Sequence, residues 1–140
     1  MSAPKLSSLT VGDELPACDY PVTRETLVRY AGASGDFNAI HWNERQARAV
    51  GLPDVIAHGN LTMALGARYL TTWAQDPTAL LEYSVRFARP VVVPDDDTGA
   101  VVSVSGKVAE IADDRVRIDL TVTCDDQRVL AQPRAWIRLS

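Results

Sequence analysis

Apolar and polar positions alternate in two stretches in the second half of the chain. Leu81, Tyr83, Val85 and Phe87 interleave with Glu82, Ser84, Arg86 and Ala88, and Val116, Ile118, Leu120 and Val122 interleave with Arg115, Arg117, Asp119, Thr121 and Thr123. A period of two marks a strand with one buried face. Residues 101–111 and 128–139 follow the same period less regularly, and Pro133 requires an edge or a bulge there. The first half has the helical period instead. The spacing predicts a helix over 23–33, with Thr23 as N-cap, Leu27, Val28 and Ala31 on one side, and Gly32 or Gly35 to end it. A second, shorter helix over 44–50 has Asn43 as N-cap, Gln46 in the capping-box position and Gly51 to stop it. Residues 60–75 hold one charge, Arg68, and their apolar side chains spread around most of the helical circumference, which predicts a helix buried nearly all round.

One apolar helix followed by about four antiparallel strands is an α+β arrangement in which a curved sheet wraps the helix. A single sheet cannot cover every side of such a helix. Apolar surface is therefore expected to remain for a partner subunit.

Length and composition narrow the function classes. At 140 residues, with 46% hydrophobic and 23% charged, the chain is expected to be one globular domain spanning 1–140. It contains no apolar run long enough to cross a membrane, and its first residues lack the pattern of a secretory leader, so a cytoplasmic setting is expected. Cys18 and Cys124 match neither a disulfide framework nor a metal or redox pair. A net charge of −4 argues against nucleic acid as the main partner. Three acidic clusters, at 95–97, 113–114 and 125–126, suit loop tips and tight turns, and outside them basic residues outnumber acidic ones.

Two histidines carry the candidate chemistry. Asp36 and His41, five residues apart, would diverge by about 140° on a helix and can meet only through a turn, for which Gly35 and Asn38 are suited. A carboxylate beside an imidazole can hold a water and shuttle its proton. The same spacing also permits a plainer arrangement, Asp36 closing an Asx-turn and His41 satisfied at the boundary of the core. His58, Gly59 and Asn60 open the apolar helix, whose unsatisfied N–H groups and positive dipole end suit developing negative charge. There too the alternative is an ordinary helix entry, with Asn60 as cap. A metal held by Asp36, His41 and His58 is a third and weaker possibility, since no pair has ligand spacing on a helix. No Gly-x-Ser-x-Gly, phosphate loop or dinucleotide fingerprint occurs.

The run Tyr30-Ala31-Gly32-Ala33-Ser34-Gly35-Asp36-Phe37-Asn38-Ala39-Ile40-His41, with Ala47 following, resembles the hydratase motif of the MaoC-like enzymes. Ala57-His58-Gly59 leading into Leu61-Thr62-Met63, and Tyr83-Ser84-Val85-Arg86-Phe87, extend the likeness over nearly the whole chain. The resemblance implies a single hot-dog fold. It implies that Asp36 and His41 are the catalytic pair and that the Gly59 amide binds a thioester carbonyl, with Gly35, Asn38, His58 and Asn60 supporting the site. The implied reaction is reversible loss of water from an (R)-3-hydroxyacyl thioester of CoA or acyl carrier protein, without metal or other cofactor. The implied assembly is a dimer, either of two copies or with a related hot-dog subunit. A hot-dog thioesterase and a non-catalytic subunit that only shapes a partner's acyl channel are the alternatives. Two positions depart from the family pattern: Ala39 stands where proline is usual, and polar Asn60 where an apolar residue is usual.

Overall fold

A computed structural model describes residues 2–140. After a short 3₁₀ turn at Leu6–Ser8, the chain forms β1 (Glu14–Val22), α1 (Arg24–Ser34), a 3₁₀ turn at Ala39–His41, α2 (Glu44–Ala49) and α3 (Gly59–Ala74). The remainder is strand: β2 (Leu80–Phe87), β3 (Ala100–Ala112), β4 (Arg115–Cys124), β5 (Gln127–Arg128) and β6 (Leu130–Arg138). The sheet runs β1-β3-β4-β6-β2, every pairing antiparallel, with the short β5 folded back on β4. Its inner face, formed by residues such as Val102, Val104, Ile118, Val122 and Ile137, packs with Leu61, Leu65, Tyr69 and Leu70 of α3 in one core. A sheet curled around one helix is the hot-dog arrangement.

Local chemistry explains the boundaries. Thr23 caps α1 reciprocally with Thr26, each side-chain oxygen accepting from the other's amide at 3.3 and 3.0 Å. Gly35 ends α1 in the left-handed region, φ 76°, where a Cβ would be strained. Asn43 caps α2 by accepting from the Gln46 amide at 3.1 Å. Asp125 and Asp126 both take positive φ, as a two-residue hairpin between β4 and β5 demands. Pro133 lies at a bulge rather than an edge. Leu130 and Pro133 are both buried, three residues apart, and the extra residue is taken up where Gln132 adopts φ 49°.

Three sequence expectations need correction. The apolar helix begins one residue earlier than expected, and its N-cap is His58, so Asn60 lies inside the first turn and caps nothing. Within this chain that helix is not covered all round: Asn60, Ala64, Arg68 and Thr72, four residues apart, form an exposed stripe. An additional strand, β1, precedes α1. Pro16, Pro21 and a register shift between Leu15 and Cys18 hide its period, and such a sequence is tolerated because β1 is an edge.

The other edge, β2, is tied to α3 by a hydrogen bond. The Tyr83 hydroxyl donates to the Met63 carbonyl at 2.9 Å, and it occupies the space that a Cβ on Gly66 would need. Burial pushes the Tyr83 phenol up to about 12.

Candidate active site

The segment between α1 and α3 carries the candidate residues and crosses one end of the helix. Directly after the left-handed Gly35, Asp36 turns the chain, its Oδ1 accepting from the Asn38 amide at 3.1 Å. Asn38 repeats the device, accepting from the Ile40 amide at 3.3 Å and starting the 3₁₀ turn that delivers His41. Both arrangements read from the spacing are therefore present together: Asp36 does close an Asx-turn, and that turn brings its carboxylate to the imidazole. Oδ2 of Asp36 lies 3.9 Å from Nε2 of His41. That is too long for a direct hydrogen bond, and an oxygen about 2.8 Å from each could be shared by the two.

The hydrogen on His41 is fixed by its other nitrogen. Nδ1 lies 2.8 Å from the carbonyl of Ile56. A carbonyl can only accept, so Nδ1 carries the hydrogen and, in the neutral ring, Nε2 presents its lone pair toward Asp36. The Ile56 carbonyl is itself held in place. The Ile56 amide donates to Ile40 at 3.2 Å, and the flanking Val55 carbonyl and Ala57 amide bond the 91–93 segment at 2.9 and 2.8 Å. Arg24 braces the same region from the start of α1, donating to the Val93 carbonyl at 2.6 Å and to Glu44 and Asp54 at 3.2 and 3.1 Å.

His41 and Gly59 line a cleft of about 340 Å³ together with Thr62, Phe87, Arg89 and Val91. Gly59 is the first residue of α3, so its amide has no intrahelical acceptor and lies at the positive end of the helix. The Phe87 ring lies so close that a Cβ on Gly59 would stand 3.1 Å from its Cε1. Glycine is what admits both the ring and a ligand. Asn60, the neighbouring departure from the family pattern, is exposed.

His58 lies behind His41. The two rings stack with centroids 3.8 Å apart and planes 21° apart, and Nε2 of His58 donates to the Asp36 carbonyl at 3.1 Å. Burial holds the His58 imidazole below its ordinary value, against the opposing pull of the Asp36 carbonyl.

Donor atoms of Asp36, His41 and His58 lie within 4.8 Å of one another. They do not fit a metal centre as they stand. Imidazole lone pairs lie in the ring plane, and two stacked rings cannot both aim at one ion about 2 Å away.

The sequence offered seven candidates, of which Asp36, Asn38, His41, His58 and Gly59 gather near the start of α3, Gly35 caps α1 just before Asp36, and Asn60 is exposed. It missed the Ile56 carbonyl, Thr62, Phe87, Arg89 and the Arg24 brace. Phe87 was visible as the end of an alternating strand, whereas the carbonyl and the brace leave no mark in sequence.

The family model for the MaoC like domain matches residues 8–125. The chain belongs to the MaoC-like domain family. A 3-hydroxyacyl-thioester dehydratase X of Mycobacterium tuberculosis is 44% identical over 79 residues, 56% of this chain and 27% of the relative. A solved MaoC-like dehydratase superposes with a TM-score of 0.94 at 37% identity, covering 99% of this chain and 43% of the other. The unliganded R-hydratase PhaJ1 from Pseudomonas aeruginosa superposes with a TM-score of 0.83 at 27% identity, covering 96% and 84%. This MaoC-like domain therefore spans about a quarter of the length of the curated relative and under half of the first structure.

Proposed function

We propose that this MaoC-like domain catalyses the reversible dehydration of (R)-3-hydroxyacyl thioesters to trans-2-enoyl thioesters. The observation that carries the reading is the approach of the Asp36 carboxylate to Nε2 of His41, 3.9 Å apart, beside a cleft lined by His41 and Gly59. Dehydration breaks the C2–H and C3–O bonds, forms the C2–C3 double bond and releases water. Removing the C2 proton moves charge onto the thioester oxygen, and an N–H fixed at the start of α3 stabilises that charge more in the transition state than in the ground state. Asp36 and His41 together hold the oxygen that leaves C3 and carry the proton lost from C2 to it. In hydration the same pair activates water and returns a proton to C2. The likeness to an R-hydratase supports the (R) configuration. No step transfers electrons, so the acid–base pair and the amide suffice.

The substrate is a thioester of CoA or of acyl carrier protein. We further propose that the domain works as a dimer of hot-dog units, with itself or with a related partner. β2 is an unpaired edge, and the exposed stripe of α3 leaves a helix face for a partner to cover. A cytoplasmic setting fits the two unpaired cysteines, and no described helix is long and apolar enough to cross a membrane.

The test is hydration of crotonyl-CoA and of a long-chain enoyl thioester, followed by loss of enoyl absorbance, with thiol release measured in parallel. Absorbance loss without thiol supports the proposal. Thiol released in step with the absorbance loss would make the protein a thioesterase, since hydrolysis also destroys the conjugated enoyl thioester, and neither signal would leave it a non-catalytic subunit.

A further inference from the structure

The reaction proposed above gives no task to His58, yet no other ionisable side chain in the site is so enclosed. It is 1% exposed. The ionisable groups facing it are His41, stacked on its face, Asp36, whose carbonyl takes its hydrogen, and Tyr30, whose ring meets it edge-on at 4.8 Å. Because Nε2 donates to a carbonyl, the neutral ring has its lone pair on Nδ1, and that atom is buried without a hydrogen-bond partner among the described residues. A proton added at Nδ1 would create a buried cationic N–H with no acceptor. The geometry therefore disfavours the charged form on grounds of desolvation.

We propose that His58 is the positioning residue of the Asp36–His41 pair: a neutral N–H donor that fixes Asp36 through its carbonyl while its ring face fixes the plane of His41. Both reacting side chains are then set by one buried imidazole. Asp36 needs such an anchor. It follows the end of α1, its side chain is half exposed, and its own Asx bond restrains Asn38 rather than the Asp36 carbonyl. His41 is gripped at Nδ1 by Ile56, and one bond leaves the ring free to tilt about that contact. The stacked face removes the tilt. A phenyl ring would supply the face without the donor, and a glutamine the donor without the face. Imidazole supplies both.

The consequence for rate rests on the dehydratase reading, but the geometry does not, and the experiment keeps the two apart. Imidazole nitrogen spectra of the wild-type protein should show His58 as the neutral Nε2–H tautomer at about pH 6, below the ordinary histidine value. A charged His58, or one carrying its hydrogen on Nδ1, overturns the proposal whether or not the protein is active. In folded His58→Gln, which keeps a donor and removes the stacked face, the His41 ring signals should broaden, and an unchanged His41 spectrum overturns it equally. With crotonyl-CoA, His58→Phe and His58→Gln should each lose about 10- to 100-fold in kcat, the scale of an ångström's misplacement, with KM little changed. A residue that only filled space would lower the melting temperature and leave kcat of the folded fraction intact. If wild type hydrates nothing, the dehydratase reading fails, and the spectra still decide the role of His58.

Discussion

Ala39→Pro is the substitution whose effect can be worked out most fully from the structure. Ala39 opens the 3₁₀ turn that ends in His41, a first helical position where a backbone N–H has no intrahelical acceptor. Among the described residues no side chain or carbonyl takes that amide's hydrogen, so proline removes no bond seen there. Asn38 has φ −55° and ψ 127°, the extended conformation that a residue before proline adopts without strain. The Ala39 carbonyl keeps the Trp42 and Asn43 amides, at 3.2 and 2.8 Å, and Ala39 itself is only partly buried. With the folded state unstrained, the gain comes from the unfolded chain and amounts to about 0.4–1 kcal/mol. For a chain of this length that corresponds to a rise of about 1–3 °C in melting temperature. Calorimetry of the purified variant measures it, and crotonyl-CoA hydration should stay at or above the wild-type rate because the turn that presents His41 is stiffer. A fall in melting temperature would refute the reasoning, since it would mean that Ala39 cannot take the proline conformation and that the turn is built differently.

Asp36→Asn keeps the Asx bond to Asn38 and removes the charge, while His41→Ala removes the imidazole; each should lose about 10²- to 10⁴-fold in kcat. The melting temperature should be nearly unchanged in Asp36→Asn and lowered in His41→Ala, which empties a buried ring position and leaves the Ile56 carbonyl without its donor. Because the two act on one oxygen, the double variant should lose little more than the worse single one, and multiplied losses would show two independent sites. The folded-state value of His58 is lowered, so as pH falls below about 6.5 the unfolded chain takes up a proton that the folded chain refuses. That contribution to stability is whole above the ordinary histidine value and declines below it. Urea midpoints should therefore drop between pH 7.5 and 5.5, and drop less in His58→Gln; an equal drop in both would remove His58 as the source.

The sequence exposed what repeats and concealed what is made by contact. The strands around 81–87 and 115–123 and the helix capped by Thr23 could be read because each residue's face follows from its neighbours in order. β1 could not, because two prolines and a bulge break its alternation. The exposed stripe of α3 went unread for a different reason. Ala64 is apolar by composition, and only the reach of the sheet decides whether it is covered. In the site, Gly35 and Asn38 announced a turn and thereby made the Asp36–His41 meeting plausible. Nothing in the spacing of His41 and His58, 17 residues apart, announced that their rings would stack, and a backbone carbonyl such as that of Ile56 has no signature in a sequence at all.

The division of parts matches what the proposed dehydration asks of each. Charge on a thioester oxygen must find its donor already in place, since a donor that reorganises gives back what it gains. In that reading the donor is the Gly59 amide, on the first turn of a helix whose inner face, Leu61, Leu65, Tyr69 and Leu70, is packed into the core, and that packing fixes its position. A proton carrier must instead visit two atoms of the substrate, C2 and the oxygen on C3, and so belongs on side chains with limited freedom. Asp36 and His41 have that freedom limited from three directions. The Ile56 carbonyl holds the His41 nitrogen that does not react, His58 bears on the ring and on the Asp36 backbone, and Arg24 ties α2, the Asp54 loop and the 91–93 segment to the start of α1. Each restraint acts on an atom that takes no part in the chemistry. The reacting atoms, Nε2 of His41 and the Asp36 carboxylate, are thus positioned without being occupied.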